Sequence, residues 1–139
     1  MEHRDYIQKI IDQLGKVLEK ILGDLIGAIK EGQINQGIEK INYALKNEIN
    51  MDIAEIIILP NSKLLEILQE EKKINNENLE RLANILILIA DSTSKDKVNS
   101  QDKKNMYEKC LVLYEHLEKN EKLYSFDRHL KIERLKTIV

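Results

Sequence analysis

Side chains suited to covalent or metal chemistry are few in this 139-residue chain: one thiol, Cys110, and three imidazoles, His3, His116 and His129. A cysteine nucleophile needs a nearby base and a lowered pKa. The nearest histidine in sequence, His116, lies six positions on and off the helical face of Cys110. Cys110 instead falls where a small packed residue is wanted, and an unpaired cysteine is commonly buried. No two histidines are spaced i, i+4 as in a helical metal clamp, and no second cysteine assists. His116 neighbours Glu115, and His129 shares a helical face with Glu133, so His116, His129 and a carboxylate form the one metal arrangement to test. Rim histidines are the simpler expectation, and no metal or cofactor is expected.

The carboxylates offer no acid–base pair whose environments would drive two pKa values apart. Glu70-Glu71-Lys72-Lys73 reads as a solvated helix end, and the five glycines lie in or beside helices instead of in a phosphate-cradling loop. The sequence therefore predicts a non-catalytic protein.

Composition narrows the partners. There are 22 Lys and Arg against 24 Asp and Glu, for a net charge of -2. Arginine, the residue suited to phosphate forks, occurs only as Arg4, Arg81, Arg128 and Arg134. With one Phe, no Trp and no dense basic stretch, no nucleic-acid partner is expected. A single cysteine suits a reducing interior. The start, Met1-Glu-His-Arg-Asp, has no apolar leader core, and the longest apolar run, residues 85–90, is far too short to cross a bilayer. The expected location is cytoplasmic, with no membrane partner, and the wealth of Ile, Lys and Asn suggests an AT-rich, bacterial-type genome.

The elements that must position these side chains are helices. Over residues 5–30, Ile7, Ile10, Ile11, Leu14, Val17, Leu18, Ile21, Leu22, Leu25 and Ile29 recur at spacings of three and four. This stripe is wider than a coiled-coil seam, so it should serve mainly as core against more than one neighbour. Gly15, Gly23 and Gly27 each weaken a helix by roughly 1 kcal/mol against Ala, which close helix–helix approach would explain. Gly32 reads as the stop.

A second helix is predicted over 33–46. Residues 49–59 fit either a short helix capped by Asp52 or a buried extended strap, ended by Pro60. Ser62 is the expected cap of a third helix, and the Asn75-Asn76 pair that of a fourth. The fourth is apolar all round in its last two turns and should be the most buried. Residues 91–102 contain one aliphatic, Val98, and predict a mobile loop. Ser100 and Ser125 then cap the last two helices, the final one carrying Phe126, Leu130, Ile132, Leu135 and Ile138. The expectation is a single all-α domain over 1–139, with about six helices in stacked antiparallel hairpins.

Ile41-x-x-Ala44-Leu45 and Tyr107-x-x-Cys110-Leu111 share a large–x–x–small–large spacing, 66 positions apart. This pattern resembles the second helix of the tetratricopeptide repeat, two periods of which are about 68 residues. Gly32, Ile34 and Gly37 fit the turn and early positions of that helix, and Leu79, Leu82 and Ala83 resemble the first. The match covers about half the chain. Residues 49–74 show no register, and the first helix is longer than the family's. The resemblance implies a right-handed superhelix with a concave face that accommodates a peptide. The expected function is thus a protein–protein interaction module, with a protein or peptide partner. The alternative is a structural or regulatory homo-oligomer, a homodimer formed through residues 5–30.

Overall fold

The unbroken spacing at the start of the chain folds as one helix, α1 (Glu2–Lys30), of 29 residues. The computed structural model describes residues 2–93 and 100–139, and among these the regular structure is entirely helical. Gly32 ends α1 with φ +71°, where a side chain would be strained. The Gln33 N–H reaches back to the Ala28 carbonyl at 2.8 Å and the Gly32 N–H to Ile29 at 3.2 Å, a Schellman closure.

The reversed chain enters α2 (Ile34–Ile49), which stops on left-handed Asn50. The 49–59 segment contains a short helix, α3 (Ile53–Ile57). Asp52 and Glu55 cap it reciprocally, each accepting from the other's backbone N–H. Lys46 hydrogen-bonds the Glu55 carboxylate, which holds that carboxyl below its ordinary range.

Pro60 precedes α4 (Asn61–Leu65). Ser62 is therefore its second residue and not its cap: Pro60 already fixes the entry with φ −60°. The helix widens directly into a π-helical turn, Glu66–Glu71. Asn75 caps α5 (Asn76–Ser92) by accepting from the Asn78 N–H at 3.1 Å. Then come α6 (Ser100–Asn120) and α7 (Phe126–Ile138), whose cap is Ser125. Seven α-helices thus stand among the described residues, one more than expected, because α3 forms.

Two boundaries move. Asp91 and Ser92 extend α5, and Ser100 is already helical in α6. The helical ladder holds these polar residues at its ends, so the predicted 91–102 loop shrinks. The rest of that predicted mobile loop, residues 94–99, lies outside the described residues.

α1 packs against both α2 and α5, while α6 packs against α5, α7, α3 and α4. α1 thus lies between α2 and α5, and α6 carries both α5 and α7, with α3 and α4 laid against α6. In the middle, α5 buries Leu79, Leu82, Ala83, Ile85, Leu86, Ile89 and Ala90. Its one fully buried amide, Asn78, donates to the Ile11 carbonyl at 3.1 Å and accepts from Arg81 at 2.9 Å, tying α5 to α1.

Close packing accounts for some of the α1 glycines and not others. A Cβ on Gly15 would meet the Arg81 and Asn78 side chains at 3.2 Å. Gly23 and Gly27 have nothing within 4 Å of where a Cβ would stand, so close approach within the chain does not explain them. Gly23→Ala and Gly27→Ala should each raise stability by about 0.5–1 kcal/mol, through helix propensity and a less flexible unfolded chain. Chemical denaturation tests this; a loss of stability would mean that these positions pack against something.

Candidate functional site

The residues singled out for chemistry stand apart. Cys110 is fully buried on α6, and its thiol faces the Ala83 carbonyl at 3.7 Å. Burial pushes the thiol far above its ordinary pKa, the opposite of what activates a nucleophile. His116 lies 3.3 Å from Asn76 Oδ1 through Nε2 and 3.2 Å from Asn120 Nδ2 through Nδ1. Both ring nitrogens of His116 thus have a polar side-chain neighbour. His129 Nδ1 lies 3.3 Å from Glu118, with its ring against Tyr124. The His116–His129–carboxylate arrangement is not assembled, and no group of three or more His, Cys, Asp or Glu among the described residues is placed to hold a metal ion. His3 carries no described side chain.

What the fold does build is an open furrow of about 340 Å³ between α1 and α2. Its floor is Val17 and Ile21 from α1 with Ile41, Ala44 and Gly37 from α2. Gly37 and Ala44 are seven apart on one face of α2: Gly37 lets the helices approach closely near the turn, and the small Ala44 leaves room farther along. Gly37 cannot enlarge freely, because its Cβ would stand 3.0 Å from that of Ala28. Tyr43, 73% exposed, forms part of the rim.

Charges of both signs rim the furrow. α1 and α2 are antiparallel across the Gly32 turn, so Asp24 and Lys40 stand at one level, Lys20 about a turn farther out and Glu48 beyond it. Glu48 also borders a second depression, lined by Tyr6, Lys9, Ile10 and Gln13. There α1 overhangs the rest of the fold: 29 residues at 1.5 Å make it about 43 Å long, against about 24 Å for the 16 residues of α2. Tyr6 and Ile10 are 63% and 45% exposed on this overhang.

A second polar feature joins α5 to α7. Glu80, Asn84 and Asp91 share one face of α5. Glu80 accepts from Arg128 at 2.8 Å, Asn84 from Lys131 at 3.2 Å, and Asp91 takes a two-pronged contact from Arg134 at 2.8 and 3.2 Å. Two tyrosines of α6 complete these rungs: Tyr107 donates to Asp91 at 2.7 Å and Tyr114 to Asn84 at 2.5 Å. Burial, then the bond to Asp91, pushes the Tyr107 phenol up to about 12.

Sequence reasoning missed the furrow and the ladder. Gly37 and Ala44 at a seven-residue interval within an aliphatic stripe signal the first. Cations at 128, 131 and 134, on the side of α7 that carries Ile132 and Leu135, signal the second. Compared with protein-family models, curated proteins and solved structures, the chain matches none.

Proposed function

We propose that this chain is a non-catalytic protein-interaction module that seats an amphipathic helix of a partner protein in the α1–α2 furrow. The carrying observation is the furrow itself: an apolar floor of Val17, Ile21, Ile41 and Ala44 between two helices, rimmed by charges of both signs. A helix-in-groove mode uses apolar anchors at i, i+3, i+4 and i+7. The complementary ligand presents aliphatic anchors to the floor and charges of both signs to Asp24, Lys20, Lys40 and Glu48 at the rim.

The same reading takes α1–α2 and α5–α6 as successive hairpins of a tetratricopeptide-like, right-handed stack. Supporting it, α1 and α5 lie side by side and run in the same direction, with Ile11 against Asn78 and Glu19 against Arg81. Gly15 meets Arg81, 66 positions on, the same offset as the two matched helices. A cytoplasmic location goes with this reading; its support is the lone thiol and the absence of any bilayer-length apolar helix among the described residues.

Selection of helical peptides from a displayed library against the purified protein tests the seat. Peptides that bind should weaken at least tenfold on Ala44→Arg, about 1.4 kcal/mol, with the melting temperature held and with no effect of Leu130→Ser. Peptides indifferent to Ala44→Arg would reject the furrow.

The alternative, self-association through the N-terminal helix, is favoured by the overhanging Tyr6, Ile7 and Ile10. Light scattering across dilution separates the two: a monomer at every concentration removes the oligomer.

A further inference from the structure

The last helix is built the wrong way round for a core element. Its α5-facing side carries Arg128, which is only 5% exposed, half-buried Lys131 and the exposed Arg134, while Phe126 and Leu130 are 65% and 51% exposed. Two aliphatics, Ile132 and Leu135, anchor it in the core. Its backbone packs on α6, and it reaches α5 through the three long cations. The buried Nε of Arg128 has no partner, so even the best-buried rung is incompletely satisfied.

Few apolar anchors and a polar attachment mark a segment at the low-stability end of a fold, able to open without global unfolding. We infer that α7 is a displaceable strap: it leaves as a unit while α1 to α6 stay folded, and its departure bares the Tyr107–Tyr114 face of α6 beside the Glu80, Asn84 and Asp91 row of α5. That row suits cations at i, i+3 and i+6 of a helix, and α7 is its resident occupant. This inference is independent of the α1–α2 furrow.

Amide hydrogen exchange on the full-length protein tests it. Exchange of α7 should be at least tenfold faster than that of α5 and nearly independent of low denaturant concentrations, the signature of a small opening. Asp91→Ala should speed α7 exchange a further tenfold or more and leave α1 and α5 protected as before. Leu45→Ala, which weakens α2 far from the strap, should leave α7 exchange unchanged. Equal protection of α7 and α5, or a uniform acceleration of every helix by Asp91→Ala, would overturn the strap.

Discussion

Leu86→Ala should lower the unfolding free energy by about 3–4 kcal/mol, among the largest single effects available in this chain. Leu86 is fully buried in α5, the helix between α1 and α6. Removing its isobutyl group forfeits the transfer free energy of the lost atoms and leaves a cavity, because both neighbours are held in place. α1 is pinned by Asn78 and α6 by Cys110 packing on Ala83, so neither can slide in to fill the gap. Urea denaturation measures the cost. A loss below about 1 kcal/mol would mean that the interior collapses freely and that α5 is not its centre.

The second large effect concerns an ion pair whose partners are not equivalent. The Arg128 side chain is 6% exposed and that of Glu80 38%. Glu80→Leu strands a buried guanidinium and should cost about 2 kcal/mol, discounted from the 3–5 kcal/mol of fully buried pairs because Glu80 is partly solvated. Glu80→Leu with Arg128→Met removes both charges together with the unsatisfied Nε, and should recover most of that loss. Because the pair holds α7 alone, the cost of the single change is capped by the free energy that keeps α7 docked. Denaturation of both single variants and the double variant measures the coupling. A double variant as unstable as the sum of the singles would show that the charges do not act as a pair.

Periodicity made the long helices legible. An aliphatic every third or fourth residue left α1, α2 and α5 no other way to bury their side chains, and Gly32 and Asn75 announced their ends through backbone conformation and capping chemistry. The 49–59 segment was ambiguous because four consecutive aliphatics suit either state. The Asp52–Glu55 capping box decides for a helix.

Tertiary features were less visible. By sequence alone, Phe126, Leu130, Ile132, Leu135 and Ile138 of α7 were not separated into a buried and an exposed set, and Phe126, Leu130 and Ile138 are exposed. The competing term is the row of acceptors on α5, some 45 residues earlier in the chain, which draws the cations of α7 inward. The furrow was equally hidden: Gly37 and Ala44 look like ordinary small core residues until two helices are laid side by side. Cys110, His116 and His129 were individually legible as chemistry-bearing, but which partners each would find depended on the packing of α5, α6 and α7.

The most direct measurement of the furrow's role is site-specific photo-crosslinking in the cells that make the protein. A photoreactive residue at position 44 should join the chain to a different polypeptide, and Val17→Asp, on the opposite wall, should abolish that product without changing the protein's abundance. The same residue placed at 130 should be unaffected by Val17→Asp. Products at position 44 that survive Val17→Asp, or that contain only a second copy of this chain, would contradict the assignment of the furrow as a seat for a partner's helix.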